Sequence, residues 1–569
     1  MKKLVKVLLV CVLAMGLVAC SSNKESKPAT ALSDKNENKE FTNYVDSLIG
    51  EVFDETDYSL NYFLADKEAF GYSKETLYEQ KLVSYEDFEE SINQGNEIYA
   101  KIKAFDRDSL SEKQQLTYDV LLDAYQPDDS IPVEDLYYLM NNDLDYNRGA
   151  PGNIPFNFYF YTFRDEQDIK SYLHLLETTD AYFQSLVAFE QERQDKGFGM
   201  QPMHIAKTKE VVDTYVSGDH SFLKDSFKKG IANVKNLSKA DIEAYIEQNS
   251  ALVDGALQTA YTNLATGLAN LQVKAVDEGM SQYANGRELY AIQIEGTTGM
   301  DIETYRTYLQ DMYTRYLNEM QDSNSLEMES SGVYTKQTDP NKVLEELSKD
   351  TKDDFPAVRD LDYEMEIVPE SMRKILGNTA AAYFTSPIDE EHTKEKMILN
   401  GDFTEDDYST IAHEGYPGHM YQKQYYKEQE QPLIRSLMDY SGYTEGWANY
   451  VQYYTTKYAL KPEVAKANDS MERLNYALLL MIDLMINYDG QTQADLQQYL
   501  SMFGDTNEIY TTLAVTPGIF AEYYVGGQKF IDLAEAYDDV DAKKFHEAIL
   551  NIGPAPFSIV ESYVEKALK

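Results

Sequence analysis

The stretch "IAHEGYPGHMYQ", residues 411–422, sets His413 beside Glu414 and places a second histidine at 419. In the common zinc motif the second histidine stands one helical turn after the first, and a glutamate directly follows the first. Here the residue one turn on is Pro417, and the second histidine comes two positions later. On a continuous helix, six residues at about 100° each would turn His419 roughly 240° away from His413. The segment between them is Gly415-Tyr416-Pro417-Gly418. Glycine frees the backbone and proline disrupts a helix interior. The sequence therefore predicts a helix kinked or bulged at this point, so that His419 swings back toward His413.

The flanks support a helical reading. In "GDFTEDDYSTIAHEGYPGHMYQ" (401–422), Thr404 and Asp407 are spaced as an N-cap and N3 pair, and Tyr408, Ile411, Ala412 and Gly415 share one face. Catalytic zinc usually takes three protein ligands and keeps one position open. A third ligand is available in "YSGYTEGWANYVQYYTTKY" (440–458), which reads as a helix carrying Glu445. Two histidines and one glutamate form a recognised catalytic zinc set. Asn449, one turn after Glu445, is expected to hydrogen-bond the outer nitrogen of a ligand histidine. Trp447, the single tryptophan, is expected to pack beside the site. Glu414 then suits a general base that takes a proton from zinc-bound water and passes it to a leaving amine.

The rest of the chain reads as helical. "SLSEKQQLTYDVLLDAY" carries Ser111 and Gln114 at capping-box spacing. "FTNYVDSLIGEVFDE" spaces Tyr44, Leu48 and Phe53 roughly at helical intervals. Residues 165–194 form a long amphipathic helix or a helical pair, and residues 301–321 another helix. Strand signals are few: "ELYAIQIEG" (288–296), "YEMEIVP" (363–369) and "EKMILN" (395–400). The last is a candidate to pair with an extended substrate backbone. No solenoid repeat and no long linker divides the globular part. The expected fold is mainly α: a large helical body over 41–569 with a small β-sheet flanking a central cleft. An N-terminal helical part, to about 360, walls one side and a metal-site part, 361–569, the other. His174, His204, His220, His392 and His546 have no ligand-like spacing and read as structural or surface residues.

Charge and the N-terminus bound the setting. With 97 acidic against 51 basic residues, net charge −46, the chain is not suited to bind nucleic acid. "MKKLVKVLLVCVLAMGLVAC" (1–20) has a basic n-region and a short apolar stretch, an export signal rather than a membrane helix. Its end, Leu17-Val18-Ala19-Cys20, resembles a bacterial lipobox, which implies a signal peptide over 1–19 and a lipid on Cys20. Residues 20–40 contain almost no apolar side chains and read as a disordered tether. Cys11 leaves with the signal, so no disulfide is expected.

Four segments carry a family resemblance: "HEGYPGH" (413–419), "EGWANY" (445–450), "TPGIFAEYYVGG" (516–527) and "FHEAILNIGPAPFSIVE" (545–561). The chain resembles the bacterial family known as domain of unknown function 885, related to zinc metallopeptidases. The resemblance implies a helical zinc-metallopeptidase-like fold, zinc ligands at His413, His419 and Glu445, and Glu414 as catalytic base. It also matches Pro517, Gly518 and Tyr523 to a Pro-Gly start followed by a tyrosine, whose hydroxyl is a candidate to stabilise an oxyanion. Two positions depart from the pattern. Met420 stands where the family often has a further histidine, and Asn487, soon after Asp483, stands where another is expected. The expectation is a lipid-anchored, extracytoplasmic zinc metallopeptidase acting on peptides. The alternatives are a non-catalytic lipoprotein binding peptide or metal, or a hydrolase of another amide or ester.

Overall fold

The computed structural model describes residues 32–569 apart from 34, 36, 52–55, 323–334, 360, 377–380, 385–386, 388, 390–394, 405–406 and 439. The segment expected to be a signal peptide, Cys20 and His392 lie outside the described residues. The architecture is mainly helical with one three-stranded sheet. The elements that bear on the site are helices α1 (Lys39–Ser47), α2 (Glu112–Ala124), α3 (Glu166–Lys196), α4 (Gly286–Thr298) and α5 (Ile302–Asp322), and strands β1 (Tyr363–Ile367), β2 (Ala381–Phe384) and β3 (Glu395–Leu399). After them come α6 (Tyr408–Glu414), α7 (His419–Lys427), α8 (Ser441–Tyr454), α9 (Pro462–Asn487), α10 (Ile519–Ala536) and α11 (Ala542–Ile552). Among the described residues no helix is long and apolar enough to cross a membrane.

Local chemistry accounts for several of these elements. The Ser111–Gln114 capping box forms and starts α2. Residues 165–194 belong to one helix, α3, begun by Asp165 accepting from the backbone N–H groups of Gln167 and Asp168 and ended by Gly197 in the left-handed region. In α1 the buried stripe is Phe41 and Val45, continued by Leu48. Tyr44 sits at its edge, stacked on Phe105, and Phe53 lies outside the described residues.

The strand expected over 288–296 is instead part of α4. Leu289, Tyr290, Ile292 and Ile294 are all buried because helices enclose α4 on most sides. Burial all round erases the one-sided 3.6-residue stripe and leaves a run that reads as β. The two other expected strands form. β3 is the middle strand, parallel to β1 and antiparallel to β2. Both its edges are therefore paired, so it is not available to a substrate backbone as expected.

The tether also needs correction at its C-terminal end. Leu32 packs against the core, and Ser33 N donates to Glu112 Oε2 at 3.2 Å. Asn38 is clasped by Gln114, whose Oε1 accepts from Asn38 N and whose Nε2 donates to Asn38 O, both at 2.8 Å. One hydrophobic cluster joins Phe41, Val45, Leu116 and Val120 from the first helices to Ile411, Trp447, Phe530 and Ile549 around the site.

Candidate metal centre

The kink exists, and it separates two helices. α6 ends at Glu414 and α7 begins at His419, with Gly415 closing the first and Gly418 preceding the second. Gly418 is there for closeness, not for a positive φ. A Cβ on it would lie 1.8 Å from His413 O and 2.4 Å from Ala412 O. The chain thus folds back against the last turn of α6 and delivers His419 to His413. The imidazole rings stand 4.8 Å apart and nearly perpendicular. The start of α6 differs from expectation. Asp407 is itself the N-cap, and its carboxylate accepts from Thr404 N and Oγ1 in a turn before the helix.

Glu445 enters from α8. Its Oε2 lies 3.5 Å from His413 Nε2 and 3.4 Å from His419 Nε2, and one ligand atom from each of the three residues falls within 4.8 Å of the others. A tetrahedron with zinc–ligand bonds of about 2.0–2.1 Å has edges of about 3.3 Å. The two histidine–glutamate edges match that length, and the donor set is one that zinc takes. The three residues therefore fit a zinc ion.

The electrostatics agree with a cation-ready pocket. Burial raises the Glu445 carboxyl, but the imidazoles of His419 and His413 outweigh it and hold the group well below the usual carboxylate range. Burial pulls His413 down, but Glu445, Glu414 and Gln452 prevail and raise it. A metal ion would displace the proton that this pair favours. Glu414 influences both His413 and Tyr523, so its carboxylate acts on the same pocket.

The residue behind His413 is not the one expected. His413 Nδ1 lies 3.2 Å from Gln452 Oε1. The amide oxygen only accepts, so Nδ1 donates and Nε2 presents its lone pair to the pocket. Asn449 lies elsewhere. It is buried, its Oδ1 has no hydrogen-bond partner among the described residues, and it fills the space that Gly527 of α10 leaves open. Gln452 is two turns after Glu445 and shares its face, so the face was legible in the sequence although the choice of residue was not. Trp447 is fully buried and donates from Nε1 to Pro417 O at 3.0 Å, which ties α8 to the kink.

Tyr523 reaches the pocket from α10, its ring 6.3 Å from that of His413 and nearly parallel to it. The negative charge of Glu445, then burial, drives its phenol well above the ordinary value, so it stays protonated and able to donate. Arg148 opposes that rise, and its Nη2 pairs with Glu522 Oε2 at 3.1 Å beside Tyr523. Sequence reading did not single out Arg148, which lies more than 250 residues away from every ligand.

The two departures from the family pattern lie outside the ligand set. Met420 is buried in the apolar cluster. Asn487 is a buried fastener, donating to Asp483 Oδ1 and Leu513 O and accepting from Met280 N. Asp483, raised by burial to about 7, accepts from Tyr290 and from the backbone N–H of Gly518 at the start of α10. The other described histidines are structural. His174 pairs with Glu79, His204 with Asp145, and His220 with Tyr215 O. His546 lies stacked on Phe355, between Tyr450 and Asp354 O.

Comparison with known proteins gives a family and a fold. The profile of the family described as "Bacterial protein of unknown function (DUF885)" matches residues 67–564. No curated protein matches the chain. Among solved structures, a candidate lipoprotein from Colwellia psychrerythraea superposes with a TM-score of 0.77 at 16% identity, covering 94% of this chain and 100% of that one. A candidate lipoprotein of unknown function from Shewanella oneidensis gives 0.52 at 16% identity, covering 86% and 94%. At such identities the likeness speaks for the fold alone.

Proposed function

We propose that this chain, which belongs to the bacterial family DUF885, is a zinc-dependent hydrolase that cleaves peptides at the pocket between α6, α7, α8 and α10. The observation that carries the reading is the convergence of His413, His419 and Glu445 beside a further carboxylate, Glu414, that is not needed as a ligand. A zinc ion held there would lower the pKa of bound water to about 7 and polarise a carbonyl. Gln452 fixes the His413 tautomer so that Nε2 faces inward. Glu414 takes the proton of the attacking water and hands it to the departing amine. Tyr523, kept protonated by Glu445, donates to the carbonyl oxygen as charge builds on it. The helical body would be the zinc-metallopeptidase scaffold that places these groups. The lipobox resemblance at Cys20, with the names of the two structural neighbours, supports a lipid-anchored protein on the extracytoplasmic side of a bacterial envelope.

The test is mass spectrometry of a mixed peptide library treated with zinc-loaded protein lacking residues 1–20, beside its Glu414→Gln variant. We expect cleavage by the first and at least a ~100-fold slower rate in the second with zinc retained. Equal cleavage by both would refute the role of Glu414. No cleavage by the zinc-loaded protein would refute the peptidase reading and leave a binding role or another amide or ester as substrate.

A further inference from the structure

A second polar site lies one turn along α7 from the metal ligand His419. Arg435 is fully buried. A guanidinium has five N–H donors. Two of Arg435's, on Nη2, reach Ile552 O at 2.9 Å and Pro554 O at 3.0 Å, closing the C-terminus of α11. The donors on Nε and Nη1 are buried and have no partner among the described residues, and no carboxylate among those residues pairs with the charge. Burying a cation without a counter-ion is strongly unfavourable.

The groups around it are donors too. Tyr426 of α7 presses its ring against Gly553, where an added Cβ would lie 2.0 Å from Cε2. Gly553 sits between the two carbonyls that Arg435 holds, so phenol and guanidinium are neighbours. The field of Arg435 accordingly opposes the rise that burial imposes on the Tyr426 phenol. Tyr426 Oη is buried and has no partner among the described residues, whereas the amide of Gln422, one turn earlier on the same face, is turned to the Tyr443 hydroxyl. The nearby Tyr443 is already committed, donating to Ile549 O at 3.1 Å.

We infer that Arg435 and Tyr426 form an internal binding site for a small monovalent inorganic anion, chloride in the first instance. The charge sets the valence. A guanidinium with no carboxylate partner among the described residues is neutralised by one negative charge, whereas a dianion would leave a net charge buried. Buried N–H and O–H donors suit an acceptor without hydrogens, and water would supply no charge. The inference rests on residues that are not metal ligands and does not require the peptidase reading.

The experiment is thermal unfolding of the protein lacking residues 1–20 as sodium chloride replaces sodium gluconate at constant ionic strength, with chloride-35 NMR line width measured in parallel. The folded protein should gain about 1 °C in Tm for each tenfold of chloride above its Kd and broaden the chloride line. Tyr426→Phe, which keeps the ring against Gly553, should need about tenfold more chloride for the same rise. Arg435→Gln should show no rise. A Tm that does not distinguish chloride from gluconate would overturn the proposal. So would an unchanged chloride dependence of Tm in Tyr426→Phe, which decides the matter even if Arg435→Gln does not fold.

Discussion

Gln452 and Asn449 differ by less than one helical turn, yet only Gln452 touches a candidate metal ligand, His413. The Gln452 contact fixes which nitrogen of His413 is free, and outer hydrogen bonds of this kind are worth about 10–100-fold in metal affinity. Gln452→Leu should therefore weaken zinc binding by that factor, whereas Asn449→Ala should leave it nearly unchanged. Competition against a fluorescent chelator reads both. A separate residue-scale prediction concerns acid. His546 must donate from Nδ1 to Asp354 O, so its Nε2 is the acceptor for the Tyr450 hydroxyl and the ring is neutral. Burial holds its pKa at about 4, below the ordinary 6.5. Above pH 6.5 neither folded nor unfolded chain holds that proton. Below it the unfolded chain takes the proton first, so stability falls as pH drops from 6.5 toward about 4. The loss from this ring should be about 2 kcal/mol between pH 7 and pH 5. Denaturant unfolding at the two pH values, in wild type and His546→Gln, checks it, and the variant should lack this part of the slope.

Among the elements, the crossing of α8 and α10 matters most, because it sets Glu445 opposite Tyr523. The two helices meet backbone to backbone. A Cβ on Gly446 would lie 2.5 Å from the carbonyl carbon of Gly526, and one on Gly526 would lie 2.3 Å from Gly442 O. Backbone cannot step aside as a side chain can, so Gly446→Ala should destabilise the fold by about 1–3 kcal/mol. Turnover should fall more than zinc affinity, since α8 carries its ligand with it while Tyr523 is displaced. Thermal unfolding and zinc titration on the same samples separate the two effects. What was legible at this scale followed from local chemistry. The Gly-Tyr-Pro-Gly break and the Ser111 capping box are decided by neighbours in sequence. The strand expected over 288–296 failed because enclosure by other helices, a tertiary fact, hid the period of α4. The 395–400 strand was legible, but its place between β1 and β2 depends on partners that its own residues do not specify. β2, with two alanines in four residues, lacks the β-branched signature of a strand.

At the scale of the molecule, an apolar core spanning both ends of the chain binds the first helices to the metal-site helices. Leu32, Ser33 and Asn38 are fastened to that body. Polarity alone made this stretch read as tether, because the fastening of Asn38 depends on Gln114, 76 residues later. Removing residues 1–38 should lower Tm by about 1–2 °C relative to removing 1–31, for a loss of about 1–2 kcal/mol. The candidate site was more legible than the fold, since four of its residues lie in two short motifs. Tyr523 came through resemblance, and Gln452 and Arg148 needed the folded chain. The central claim is that His413, His419 and Glu445 hold one zinc ion, and the most direct measurement is zinc-edge X-ray absorption of the protein loaded with one equivalent. We expect four or five nitrogen or oxygen neighbours at about 2.0–2.1 Å, with outer-shell scattering from two imidazoles, one of which is lost in each of His413→Ala and His419→Ala. A spectrum without imidazole scattering, or one unchanged in both variants, would contradict the claim.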